Sequence, residues 1–344
     1  MKCVLFCQNN YAFGIFEPIR THLKENGHDY IWYVNDKIID DFPFKNENNT
    51  SSIFDIKKYR SDVIFVPGNE VPHYLRGLKV QIFHGLAGEK KGHFRIRHYF
   101  DVYLTQGPYF TKKFNELKSI HKDFEVIETG WPKLDIYGTN KFIYNEEKNN
   151  ILEKFKAKKI ILYAPTFSPK LTSAPYLTEQ IKALAENKDF LILMKFHPLM
   201  DENWLAVYRE IAEKTENIIF ETEKNIIKFL LMADVLVSDT SSVIYEFLLL
   251  DKPVISFKNI SETILWENSL DYTELIPLVE KNLTTDPFAK ERKFIFENYH
   301  PYNDGKSAQR MVDAVENYIK VKGVPEERKI SLFRRFKIHS IFKK

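Results

Sequence analysis

Short apolar runs recur along the chain, each closed by a polar or Gly/Pro-containing turn and followed by helical spacing. In the first half, runs at Cys3–Cys7, Tyr30–Val34, Val63–Val66, Val80–Phe83, Val102–Leu104 and Val126–Glu128 predict strands, with helices over Ile15–Asn26 and Tyr109–Leu117. In the second half the strands are Lys159–Ala164, Leu191–Phe196, Ile218–Glu221, Val235–Ser238 and Val254–Phe257. The helices between them are Leu177–Glu186, Trp204–Lys214, Ile226–Met232 and Val243–Leu250. Continuous apolar strands alternating with helices imply α/β architecture, with parallel sheets covered on both faces. The polar stretch "NKFIYNEEKNN" near residues 140–150 divides two such series. The expectation is two facing Rossmann-like domains: residues 1–145, then residues 146–322, with the last helix, Gly305–Lys320, returning across the junction. Residues 323–344 form a tail.

Charge changes this picture at one place. The net charge is +3, but Arg328–Lys344 holds seven Lys/Arg and no acid. Without it the chain carries 43 basic against 47 acidic residues. Phe333, Phe336, Ile338, Ile341 and Phe342 interleave with those cations. Basic residues mixed with aromatics point to an anionic membrane surface; a solvated chain end is the competing reading. The body adds nothing basic, so no nucleic-acid partner is expected. No apolar stretch reaches membrane-spanning length, and no signal-peptide pattern opens the chain. Cys3 and Cys7, the only cysteines, lie too far apart in a strand to bridge. They fit reduced, buried thiols of a cytoplasmic protein.

In parallel sheets, ligands bind beyond the carboxyl ends of the strands, and polar motifs cluster at such ends here. After Val235–Ser238 come Asp239, Thr240, Ser241 and Ser242, directly before a helix. Hydroxyls and unpaired N–H groups at a helix start suit a phosphate. An ordinary N-cap needs only one such residue, so four in a row favour a ligand site, with Asp239 orienting donors. Lys195 and His197, two apart at a strand end, are expected on one side, completing a cation-lined diphosphate pocket with Thr166 of "YAPTF" in support. His84, followed by Gly85, is placed to take a proton from an attacking hydroxyl. Behind it Lys90, Lys91, His93, Arg95, Arg97 and His98 form a basic loop suited to an anionic acceptor. "TGWPKLD" (residues 129–135) and "YNDGKSAQRMV" (residues 302–312) read as turn and cap chemistry. Gly-x-Gly-x-x-Gly, Gly-x-x-x-x-Gly-Lys, Asp-x-Asp and Gly-x-Ser-x-Gly are all absent. That argues against a dinucleotide fingerprint, a P-loop NTPase, a metal-dependent sugar transferase and an α/β-hydrolase.

Taken in order, "FHG" (83–85), "TGWPKLD", "YAPTF" (163–167), "KFHP" (195–198), "SDTSSVIYEF" (238–247), "DKPVI" (251–255) and "DGKSAQR" (304–310) resemble the CDP-glycerol glycerophosphotransferases, the teichoic-acid primases and polymerases. The resemblance implies a GT-B fold with an acceptor-side N-terminal domain and a donor-binding C-terminal domain. It implies transfer of glycerol phosphate, or a related polyol phosphate, from a CDP-polyol to a hydroxyl of a lipid-linked or cell-surface glycan, with CMP leaving and no further cofactor or metal. His84 matches the general base and His197 the histidine at the donor's diphosphate. Ser241 and Ser242 match the phosphate-binding serines. Gly85, Lys90, Lys91 and Arg95 are assigned to the acceptor side. Thr240 stands where the family usually has an aromatic, and Glu246, one turn into the helix, where it often has Asp; donor identity is open at both. The alternative is a GT-B glycosyltransferase using a nucleotide sugar in capsule, lipopolysaccharide or wall polymer synthesis. The expected location is cytoplasmic, peripheral at the inner face of the membrane.

Overall fold

A computed structural model of the chain describes residues 1–86, 92–138, 140–223 and 225–342. It divides into two compact units, Met1–Thr139 with Asn298–Lys344, and Asn140–Glu297. The first carries seven parallel strands: β1 (Lys2–Cys7), β2 (Asp29–Val34), β3 (Asn49–Thr50), β4 (Val63–Val66), β5 (Leu78–Gln81), β6 (Val102–Thr105) and β7 (Glu125–Glu128), in the order β3-β2-β1-β4-β5-β6-β7. The second carries six: β8 (Lys159–Tyr163), β9 (Phe190–Met194), β10 (Ile218–Phe220), β11 (Val235–Ser238), β12 (Val254–Phe257) and β13 (Glu267–Ser269), in the order β10-β9-β8-β11-β12-β13. Each sheet begins at its centre, winds to one edge, then restarts beside its first strand. The reversal leaves a crevice where β1 parts from β4, and another where β8 parts from β11.

Burial follows the apolar runs. Every residue of β4, β6, β9, β11 and β12 is buried, as a sheet covered on both faces requires. Cys3 and Cys7 are free, and burial pushes both thiols up to about 12. The polar edge strands β3 and β13 carry no apolar run and escape sequence reading. The helix Asn145–Phe155 begins inside the stretch expected to separate the domains.

Two expectations need correction. First, β5 ends at Gln81 rather than Phe83. Ile82 N–H still donates to Val66 O (3.0 Å), but Phe83 takes a left-handed conformation (φ 60°). A non-glycine residue there is uncommon, and it turns the next residue, His84, out of the sheet. Second, the helix Ser307–Lys322 belongs to the first unit, as do residues 298–306, so the C-terminal domain stops near residue 297 rather than 322.

The reason lies in two distant motifs that interlock within the first unit. The Asp135 carboxylate accepts the N–H groups of Ser307 (2.8 Å) and Ala308 (2.9 Å), capping that helix. Arg310 Nε donates to Thr129 O (2.8 Å), and Trp131 N–H donates to His300 Nε2 (2.9 Å). Gly130 sits at φ +85°, and a Cβ on it would lie 2.4 Å from Ser307 Oγ. Gly130→Ala therefore meets both a disfavoured backbone angle and a clash. Chemical denaturation should show a loss of more than about 1 kcal/mol; an unchanged midpoint would mean that the motifs do not hold each other in place.

Candidate active site

In the second unit the chemistry gathers where β8 and β11 separate. β11 ends at Ser238, whose hydroxyl donates to Ala164 O (2.7 Å) and so ties it to the end of β8. Asp239 follows with no exposure to solvent. Its Oδ1 accepts from Thr166 N–H (2.8 Å), and its Oδ2 from Ser173 N–H (2.8 Å) and Ser173 Oγ (2.9 Å). Asn259 Nδ2 donates to the Asp239 carbonyl (2.6 Å). Burial pushes the Asp239 carboxyl up to about 6 against donors that favour its ionised form. It therefore holds its three donors as a carboxylate at neutral pH. It touches no solvent, so it shapes the site rather than meeting a ligand directly.

Thr240 is buried, and its hydroxyl accepts weakly from Ile260 N–H (3.4 Å). Ser241 and Ser242 are partly exposed and lead into the helix Val243–Leu248. That helix has six residues, two fewer than expected, so the hydroxyls and the first N–H groups matter there more than a helix dipole. Glu246 is buried on it.

Lys195 and His197, expected on one side of the strand end, differ in environment. β9 stops at Met194 and the chain turns, which ends the two-residue periodicity. Lys195 is only 7% exposed, and its ammonium donates to Phe196 O (3.2 Å). Burial lowers its pKa, and the carboxylates of Glu221 and Glu223 oppose that shift. His197 is exposed. Leu199 N–H donates to its Nδ1 (3.1 Å). In the neutral ring the proton therefore sits on Nε2, which becomes a donor. Phe167 stacks on this imidazole (centroids 4.4 Å, planes at 29°), joining "YAPTF" to "KFHP".

The first unit sets a histidine the opposite way. His84 is exposed, and its Nδ1 lies 3.0 Å from Pro67 O, at the end of β4. A carbonyl only accepts, so Nδ1 carries the proton and Nε2 presents a lone pair. Tyr11, the first residue of the helix after β1, packs on the ring (centroids 5.2 Å). Gln106 Nε2 donates to Gly85 O (3.0 Å), fixing the following turn. His84 thus stands at the β1/β4 crevice. Arg95 is exposed in the basic loop; Lys90 and Lys91 lie outside the described residues. Among the described residues no group of His, Cys, Asp and Glu side chains could hold a metal ion.

Tyr11, Phe167, Ser173 and Asn259 were missed from sequence. The strand-end rule reaches the first two, since both follow a strand within a few residues. Asn259, two residues past the end of β12, falls under the same rule; Ser173 gives no local signal and joins the site only through Asp239.

Residues 81–263 match the model of the CDP-glycerol:poly(glycerophosphate) glycerophosphotransferase family. The chain belongs to this family. It is 29% identical over 217 residues to the teichoic acid glycerol-phosphate primase of Bacillus subtilis (strain 168), covering 58% of this chain and 53% of that protein. It is 28% identical over 279 residues to the teichoic acid poly(ribitol-phosphate) polymerase of Bacillus spizizenii, covering 69% and 42%. The chain spans about half the length of the curated relatives it matches. The solved wall teichoic acid polymerase TagF superposes with a TM-score of 0.66 at 18% identity, over 93% of this chain and 89% of that one. The fold is α/β of the GT-B class.

Asp239→Asn would turn an amide N–H₂ toward a backbone N–H. Thermal and urea unfolding should show a loss of about 1–3 kcal/mol, the usual cost of an unpaired buried polar group. A neutral result would remove Asp239 as the organiser of the 164–173 loop.

Proposed function

We propose that the chain transfers glycerol phosphate, or a related polyol phosphate, from a CDP-activated donor to a hydroxyl of a lipid-linked or cell-surface glycan. The observation that carries this reading is the opposite setting of two exposed histidines at strand ends. His84 Nε2 offers a lone pair, as a base requires. His197 Nε2 offers a proton, as a partner of phosphate oxygen requires.

In this reading the acceptor hydroxyl gives its proton to His84 Nε2, and its oxygen bonds to the phosphorus bearing the polyol. The bridging P–O bond breaks and CMP leaves with the electron pair. His197 and the hydroxyls of Ser241 and Ser242 donate to the phosphate oxygens, whose charge grows as the bond breaks. Asp239 and Thr166 hold the loop beside them. Arg95, with Lys90 and Lys91, attracts an anionic acceptor. A nucleotide donor and a lipid-linked acceptor would bring the enzyme to the inner face of the cell membrane. The relatives named for glycerol phosphate and for ribitol phosphate make the polyol the open variable, with Thr240 and Glu246 the positions to examine.

A screen of CDP-glycerol, CDP-ribitol and UDP-sugars, read by nucleotide release with a lipid-linked acceptor, tests the donor class. Release of CMP from a CDP-polyol is expected; turnover of a UDP-sugar alone overturns the reading. His84→Ala should lower turnover by about 10²–10⁴-fold, with donor binding by calorimetry nearly unchanged. His197→Ala should weaken donor binding, and His197→Gln, which keeps an N–H donor, should restore part of it. Loss of donor affinity in His84→Ala with turnover intact would exchange or cancel the two roles.

A further inference from the structure

The turn that aims His84 depends on a strained residue. Phe83 holds φ 60°, a conformation that a bulky side chain keeps only when its surroundings impose it. Two hydrogen bonds flank it. Ile82 N–H donates to Val66 O (3.0 Å), and Trp131 Nε1 donates to the Phe83 carbonyl (3.4 Å). The second is long, and neither restrains the Phe83 side chain.

That side chain is buried among rings. Tyr103 and Phe114 approach it at 6.1 and 5.1 Å between centroids, with planes tilted by 37° and 52°. His93 lies flat on it, at 5.2 Å and 12°. Phe94 (5.0 Å) and Phe110 (5.3 Å) meet His93 in turn. Phe110 and Phe114 are fully buried on the helix Pro108–His121, so the rings around His93 are themselves fixed. Gly92, at φ +100°, turns the chain beside it. The Gly92 carbonyl accepts from Arg95 N–H (3.3 Å) and from Arg97 Nη1 (3.3 Å), closing the loop over His93.

His93 does not share the charge of that loop. Its Nε2 is shut away from solvent with no hydrogen-bond partner among the described residues. Burial pushes its pKa down to about 3, and His84 and Arg97 act in the same direction, so the ring is neutral at neutral pH. A buried polar atom left unpaired needs an explanation. Hydrogen bonding does not supply one, since Nε2 makes no such bond. What the ring offers is a flat face, at a separation where aromatic pairs attract.

We propose that His93 is a positioning residue for the proposed base: its face clamps Phe83 in the left-handed conformation and so keeps His84 Nδ1 on Pro67 O. Without the clamp, Phe83 relaxes toward extended backbone, β5 runs on, and His84 leaves the carbonyl that now lies 3.0 Å away. Its proton is then no longer confined to Nδ1. The effect on turnover rests on His84 being the base; the clamp itself is measured without any donor.

The full chain, isotope-labelled in histidine, tests this by long-range proton–nitrogen correlation with the ring neutral, His84 being assigned by its loss in His84→Gln. The wild type should show one His84 tautomer, protonated on Nδ1. His93→Ala should show both tautomers. So should His93→Leu, which fills the space without a flat face and guards against misfolding of the alanine variant. In both, turnover of a CDP-polyol should fall by about 10–100-fold, the scale of a misplaced catalytic group, with donor KM within about twofold. His93→Phe keeps the stack and removes the unpaired nitrogen. It should restore the single tautomer and most of the turnover, and melt above the wild type. In a Phe83→Gly background, where the backbone takes positive φ unaided, His93→Ala should alter His84 no further. A single Nδ1-protonated tautomer in both His93→Ala and His93→Leu overturns the proposal. So does a His93→Phe variant as defective as His93→Ala, which would mean that the imidazole acts by its nitrogens. A wild-type chain that turns over no CDP-polyol counts against the functional reading alone, and the tautomers still decide the clamp.

Discussion

A carboxylate shut away from water, accepting three hydrogen bonds, holds the second unit's crevice in shape. Asp239 takes two backbone N–H groups and a hydroxyl from the loop after β8, while sitting at the end of β11. The two strands are neighbours in the sheet, but their continuations must part, because the chain leaves them toward different elements. Without a shared acceptor, the 164–173 loop would leave N–H groups unpaired in the interior, at a cost of about 1–3 kcal/mol apiece. The same bond set decides what reaches solvent. With Asp239 turned inward, Ser241 and Ser242 are the next residues with hydroxyls at the surface, and Phe167 is carried onto His197.

Much of this architecture was legible in sequence because burial on both sheet faces demands unbroken apolar runs. β4, β11 and β12 fall where the pattern puts them, residue for residue. The edge strands β3 and β13 carry no such signal, since two or three polar residues pair by backbone alone. The end of β5 was misplaced for a different reason. "VQIF" is apolar enough to continue a strand, and only the left-handed Phe83 reveals the turn. The candidate site divides the same way. Strand-end position marks His84, His197, Ser241 and Ser242 as residues to examine, and all four reach solvent. It fails for Lys195, because periodicity says which side a residue takes only while the strand lasts.

The ordered motifs also do different physical work, which their sequence order conceals. "TGWPKLD" and "DGKSAQR" bind each other: Asp135 caps the helix that begins at Ser307, Arg310 returns to Thr129, and Gly130 leaves room for Ser307. These residues build the first unit and have no need to meet a substrate. "FHG", "KFHP" and "SDTSS" each combine a buried anchor with an exposed polar side chain.

The two histidines make the same point at the level of single protons. Imidazole is symmetric enough that position alone does not say which nitrogen donates. At His84 a carbonyl, which can only accept, puts the proton on Nδ1. At His197 a backbone N–H, which can only donate, leaves Nδ1 bare and puts it on Nε2. The partner in each case is main chain, so neither role is written in a side chain that a motif would display. What sets each ring is the turn that brings the right backbone group to it: Pro67 at the end of β4 for one, and the Pro198-containing turn after β9 for the other. A change that withdrew either backbone group would leave that ring free to place its proton on either nitrogen.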